Sequence, residues 1–344
     1  MQFKHITSSY YFLLIAVAFF TITTMRGTIF LVLLALQFGL QPVFTKENVS
    51  PNADKVALVL LCEILKTIVA FLALLGEGDV RAVLSTWSLK DAIMGGAVPA
   101  GVYAVQNVFI QIGYQHSSGL MFNLLNQTKI IFTAVAVYLV VGKRQSPMQM
   151  VSLLMTLVVG VVLSLPPSDD TGADDETTEF NLWYGVLPTI IAAFLSGVAS
   201  AWSQKVMSSG GATSKGRSAS LFSMELSFFS SIFLFCKMFS ATGNIGGVMS
   251  RIQILSDANP TLWIHLVTNA VGGLFVGQVI KYAGGVRKSF SIIAGIIITG
   301  VAEWFVYSTP LSPRMIVCLP LAVVAMYVYT MYPYVKSKTK DKSV

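Results

Sequence analysis

Lys129 stands inside an apolar run, NLLNQTKIIFTAV, with no acidic residue within several helical turns. A charge at the centre of a bilayer costs about 2.5–3.5 kcal/mol on insertion scales, so a lysine there calls for an anion. A helix turns every 3.6 residues, which places Asn126 beside Lys129 on one face, with Asn123 and Phe122 one turn further along it. In GVYAVQNVFIQIGY, Tyr103, Gln106, Asn107 and Gln111 recur at spacings of three and four and share a face in the same way. Such a stripe either lines a wet cavity or bonds helices to one another; Gln111 is assigned to the second use. A ligand phosphate would complete Lys129.

A second basic region follows at KYAGGVRKS, where Lys281, Lys288 and Ser289 flank Gly284 and Gly285. Glycines free backbone N–H groups, Ser289 has the chemistry of an N-cap, and a helix N-terminus attracts anions. An ordinary basic loop is the competing reading. Lys129 and Lys281, one from each half of the chain, would together hold a diphosphate, since the attraction offsets part of the cost of burying each lysine. Glu63 and Lys66, three residues apart, share a helix face; they form either a structural pair or a cavity ion pair that positions substrate. Glu225 is a further cavity candidate, and Glu303 lies near a helix end.

These residues need helices to position them. The chain has 344 residues, 54% hydrophobic and 11% charged, with mean hydropathy +0.71. Soluble domains carry roughly 25% charged residues. A spanning helix takes about 20 apolar residues, and ten stretches qualify: 27–45, 55–75, 92–111, 118–141, 147–166, 182–206, 218–239, 261–281, 289–309 and 313–333. The reading is an all-α polytopic membrane protein. Cys62, Cys236 and Cys318 are far apart, and His5, His116 and His265 form no cluster, so neither a disulfide framework nor a metal site is expected. No cofactor or catalytic motif is found, and an enzyme is not expected. The net charge of +7 sits in short loops between spans, which points to topology signals rather than nucleic acid.

If residue 46 is lumenal and loops alternate, fourteen basic residues fall on the cytosolic side: Arg81, Lys90, Lys143, Arg144, Lys205, Lys215, Arg217, Lys281, Arg287, Lys288, Lys336, Lys338, Lys340 and Lys342. Five fall on the lumenal side: Lys46, Lys55, Lys237, Arg251 and Arg314. The positive-inside rule then makes the tail cytosolic. Five helices per half invert the second half relative to the first, an arrangement that places transporter sites near the midplane at the repeat interface. The expected organisation is a first repeat over 27–166, an acidic lumenal loop over 167–181, a second repeat over 182–333 and a basic tail over 334–344. Residues 1–26 hold an apolar run at 10–25, read as an extra helix or as a lead-in to the first. Asn48 heads a lumenal glycosylation sequon weakened by Pro51.

At these residues the chain resembles the nucleotide-sugar transporter family of the drug/metabolite transporter superfamily. CEILK (62–66), YAVQN (103–107), NQTKI (126–130), SGVASAWSQKV (196–206) and IKYAGGVRKSF (280–290) carry the likeness over residues 27–335. The branch is the one that carries CMP-sialic acid, UDP-galactose and UDP-N-acetylglucosamine. Within it, LNQTKI, AGGVRK and MYPYV look most like plant endoplasmic-reticulum carriers of UDP-N-acetylhexosamines. The resemblance implies ten helices with cytosolic ends, and exchange of a cytosolic nucleotide sugar for a lumenal nucleoside monophosphate. It implies that Lys129 and Lys281 contact phosphate and that Tyr103 and Asn107 lie near the nucleotide. Where the sialic-acid and galactose branch has Arg-Asn-x-Gln, this chain has Ser223-Met224-Glu225, so a contact made there by asparagine would pass to Ser223. Lys340 and Lys342 resemble a dilysine signal read by coat machinery, which would hold the chain in the endoplasmic reticulum or early Golgi; attraction to anionic lipid is the alternative. A homodimer is compatible with the chain.

Overall fold

The computed structural model describes residues 25–50, 53–77, 80–85, 87–116, 119–164, 182–208, 217–258, 260–308 and 313–334. Residues 10–24 of the apolar run, the acidic loop over 167–181 and the tail from 335 onward lie outside the described residues. Ten helices form the body: α1 Met25–Asn48, α2 Lys55–Gly76, α3 Val98–Gln115, α4 Lys129–Val141, α5 Pro147–Ser164, α6 Leu187–Ser208, α7 Ala219–Thr242, α8 Leu262–Tyr282, α9 Gly285–Tyr307 and α10 Pro313–Met331. Among the described residues nine helical stretches are long and apolar enough to cross a membrane, and Pro147–Leu163 is a shorter apolar one. Large apolar side chains such as Leu72, Leu139 and Val317 face outward, as a bundle surrounded by lipid requires.

Local chemistry sets the ends. Asp54 caps α2 by accepting from the N–H groups of Val56 and Ala57 at 3.0 and 3.2 Å, and it pairs with Arg251. At the far end of α4, Gly142 takes a φ of 76° and returns its N–H to the Tyr138 carbonyl at 3.0 Å, a left-handed cap that glycine adopts without Cβ strain. Residues 240–260, read from sequence as a loop, hold a further helix, Ile245–Ala258, whose Val248 is buried with Leu60, Met238 and Leu266.

Two departures from the sequence reading concern the site. The stretch 118–141 is two segments, Gly119–Asn126 and α4, rather than one helix. Between them the N–H groups of Gln127 and Thr128 bond the carbonyls of Leu124 and Leu125 three residues back, and Thr128 Oγ1 also donates to Leu125 O. Lys129 is therefore the first residue of α4 rather than mid-helix. Second, α9 begins at Gly285 rather than 289, so Ser289 lies too far inside the helix to cap it. Gln204 of α6 performs that task, accepting from the Gly285 N–H at 2.9 Å.

The helices pair across the two halves. The most extensive pairings are α1 with α9, α4 with α6, α2 with α7, α3 with α6, α1 with α8 and α5 with α10. Moving each helix five places along the chain turns α1–α9 into α6–α4 and α1–α8 into α6–α3. The same shift maps α2–α7 and α5–α10 onto themselves. This is the packing of a pseudo-twofold bundle whose halves interlock. One apolar cluster spans both, including Leu34, Ile130, Val137, Leu153, Phe290 and Tyr329. The α4–α6 crossing is close because a Cβ on Gly197 would come within 2.7–2.9 Å of the Phe132 and Thr133 backbone, and rigid backbone cannot yield.

Two outcomes follow. Gly197→Ala should cost about 1–3 kcal/mol, read as a fall in melting temperature of the purified protein. Asp54→Ala should cost about 1 kcal/mol through loss of the cap. Burial pushes the Asp54 carboxyl up, but the Ala57 N–H, Arg251 and the Val56 N–H together hold it below the ordinary 3.8. Its stabilisation is therefore complete above that ordinary value and is lost as pH falls through the lower folded one. A melting series from pH 6 to pH 3 should show the Asp54→Ala deficit shrinking at the acid end.

Candidate functional site

α4 and α9 are equivalent under the five-helix shift, and each places a lysine in its first turn. Lys129 opens α4, about 20 Å along the helix from the Gly142 end at about 1.5 Å per residue. Lys288 is the fourth residue of α9. It reaches into the bundle, donates to Ser200 Oγ of α6 at 3.1 Å, and brings its charge to bear on Lys129. Among the described residues neither ammonium is paired with a carboxylate. Two like charges that act on each other, one from each half, could share one doubly charged anion.

Lys281 goes elsewhere. It ends α8, whose equivalent is α3 rather than α4, and its Nζ lies 5.6 Å from the Tyr282 ring. Tyr282 in turn stacks on Phe30 at 5.8 Å. No described contact joins Lys129 to Lys281 or to Lys288; of the two, Lys288 is the one whose charge acts on Lys129. Ser289 is buried beside Lys288 on α9. Asn126 is half-buried at the end of the segment before the α4 break.

On α3, Tyr103 is half-buried and Asn107 exposed. Gln106 holds its Oε1 buried with no hydrogen-bond partner among the described residues. A buried acceptor without a donor is rare in folded proteins, and a guest N–H would satisfy it. Gln111 accepts from Lys237 of α7 at 3.4 Å, a bond between helices. Helix α3 is preceded by a π turn, Ile93–Ala97, within which the Met94 carbonyl accepts from Trp202 Nε1 of α6 at 2.8 Å.

Glu225 and Glu63 are already matched. Glu225 is buried, forms an ion pair with Arg217, and accepts from Trp87 Nε1 at 2.9 Å. Its charge is spent on joining the start of α7 to the segment before α3, which removes it from the residues open to a guest. Glu63 and Lys66 form the intrahelical pair that their spacing allows, at 2.8 Å. The Lys66 stem lies against α8, where a Cβ on Gly273 would come within 2.9 Å of it. Ser223 is buried against Gly277 of α8, its Oγ occupying the space that a Cβ there would need. Ser200 and Gln204 are the residues that sequence reasoning missed. A serine and a glutamine in a helix carry no charge signal, and only the α6–α9 packing shows their partners.

The comparisons agree with this architecture. A solved crystal structure matches with a TM-score of 0.61 over 90% of this chain and 97% of its own, at 16% identity, which bears on the fold alone. The UDP-N-acetylglucosamine transporter ROCK1 of Arabidopsis thaliana is 30% identical over 312 residues, covering 90% of this chain and 93% of that one. The human UDP-N-acetylglucosamine transporter is 25% identical, with 76% and 80% of the two chains covered. A UDP-galactose transporter of Schizosaccharomyces pombe is 26% identical, with 79% and 76% covered. These relatives are transporters, not enzymes. The profile described as "Nucleotide-sugar transporter" matches residues 21–330: the chain belongs to the nucleotide-sugar transporter family.

Proposed function

We propose that the chain is an antiporter of endoplasmic-reticulum or Golgi membranes. It takes a cytosolic pyrimidine nucleotide sugar, with UDP-N-acetylhexosamine favoured, in exchange for a lumenal nucleoside monophosphate. The observation that carries this reading is the Lys129–Lys288 pair. Two ammonium groups without carboxylate partners among the described residues, one from each half, suit the diphosphate of a nucleotide sugar and equally the phosphate of the returning nucleotide. Tyr103, Gln106, Asn107 and Asn126 supply the polar groups proposed for base and sugar, with Ser223 and Ser289 lining α7 and α9. Lys281 is proposed as a rim residue that meets the phosphate during entry. Rocking of the interlocked halves about the lysine pair would present the site to each side in turn.

The printed activities of the relatives support the N-acetylhexosamine assignment, three of them naming UDP-N-acetylglucosamine or, in a nematode relative, also UDP-N-acetylgalactosamine. The fission-yeast relative keeps UDP-galactose as a second reading, with CMP-sialic acid behind it. A carrier of unphosphorylated metabolites would have no use for the pair.

Lys129→Gln and Lys288→Gln should each weaken UMP binding about 10- to 100-fold, the value of one charged hydrogen bond of about 1.5–3 kcal/mol. Because the two cations repel in the empty protein, each variant should melt at the same temperature as the wild type or higher. Transport into liposomes that equals wild type in both variants would defeat the phosphate reading. In a competition screen against labelled UDP-N-acetylglucosamine, UMP should inhibit and GMP should not; inhibition by GMP alone contradicts the pyrimidine assignment.

A further inference from the structure

A second basic site lies apart from the lysine pair. Consecutive residues on a helix point about 100° apart, so Arg287 faces away from Lys288. It lines a cavity of about 490 Å³ with Lys143 and Arg144 of the α4–α5 loop and with Tyr329, Pro333 and Tyr334 at the end of α10. Among the described residues the cavity lining holds three cations and no acidic residue. Desolvation there and the neighbouring Arg287 charge lower the Lys143 pKa. The wall is built rather than incidental. Gln149 Nε2 donates to the Tyr329 carbonyl at 3.0 Å, and the Tyr329 hydroxyl donates to Gln145 Oε1 at 2.9 Å. Gln145 Nε2 is left buried with no acceptor among the described residues.

One helical turn down α9 and α10, an apolar groove of about 190 Å³ begins at Phe290 and Met326 and continues along Ile293, Ile297, Leu319 and Ala322. The Phe290 and Tyr329 rings, 5.2 Å between centroids, mark the boundary between the two. A basic cavity set over an apolar groove that α9 and α10 form with Val32, Ala35 and Leu36 of α1 has the polarity of a single amphiphile. We propose that this composite is a binding site for an anionic phospholipid, its phosphate held by Lys143, Arg144 and Arg287 and its acyl chain laid in the α9–α10 groove. A soluble phosphate would use the cations and leave the groove without purpose. The site lies outside the proposed transport cavity and does not depend on the transport reading.

The test uses the full chain, solubilised and incubated with phosphatidylinositol 4-phosphate or with phosphatidylcholine, with lipid retention read by native mass spectrometry. Wild type should retain the anionic lipid and release phosphatidylcholine. At about fivefold per charge, the combined variant Lys143→Gln, Arg144→Gln, Arg287→Gln should retain it roughly a hundredfold more weakly. Arg287→Lys should restore much of the retention when placed beside native Lys143 and Arg144. Ala322→Trp, which fills the groove and leaves the cations intact, should also release the lipid. A melting shift with UMP, preserved in every variant, shows that the fold and the transport cavity are intact. Inorganic phosphate raising the melting temperature through the same three cations, with Ala322→Trp without effect on lipid, would overturn the lipid assignment in favour of a soluble anion. Equal retention by wild type and the triple variant would overturn the site altogether.

Discussion

Two ammonium groups inside the bundle, the charge of one acting on the other and neither paired with a carboxylate among the described residues, are the constraint on which the rest of this structure turns. Each would cost about 2.5–3.5 kcal/mol at the bilayer centre on insertion scales. The charge of Lys288 acting on Lys129 adds to that. A chain of marginal stability tolerates such an arrangement only where the surrounding packing enforces it. Lys129 is fixed by the tight turn at Gln127–Thr128, which starts α4 deep in the bundle. Lys288 is fixed by the start of α9, which Gln204 caps from α6, and by its bond to Ser200 on the same helix.

Helix α6 is thus the element that holds both lysines. It touches the α4 backbone at Gly197 and reaches α9 through Ser200 and Gln204, within two turns of its own length. The pseudo-twofold packing explains why the charges converge. Equivalent helices α4 and α9 approach the same axis, so equivalent first turns meet there. Two carboxylates of the bundle are meanwhile consumed locally, Glu63 by Lys66 and Glu225 by Arg217 and Trp87. Among the described residues positive charge without a carboxylate partner remains at Lys129 and Lys288, and three cations, Arg287 among them, gather at the end of α10.

Much of this was legible in the residues. Ten apolar stretches mark ten helices because hydrocarbon thickness dictates their length, and Lys129 announces itself because a lone cation in such a stretch is costly. The break before Lys129 was not legible: no proline or glycine marks it, and the turn is made by backbone bonds three residues back. Choosing between Lys281 and Lys288 was equally beyond the pattern. Both flank the same glycines, and only the start of α9 at Gly285 turns one inward and leaves the other at the Tyr282 ring. Glu225 reads as a cavity carboxylate until Arg217, eight residues earlier and outside the helix, folds back onto it.

The most direct measurement compares the dissociation constants of UMP and of uridine for wild type, Lys129→Gln, Lys288→Gln and the double variant. A site built on phosphate recognition loses UMP affinity in each single variant, loses less than the sum in the double variant, and leaves uridine affinity unchanged. Equal losses for UMP and uridine, or no loss for UMP, would show that the two lysines have another purpose.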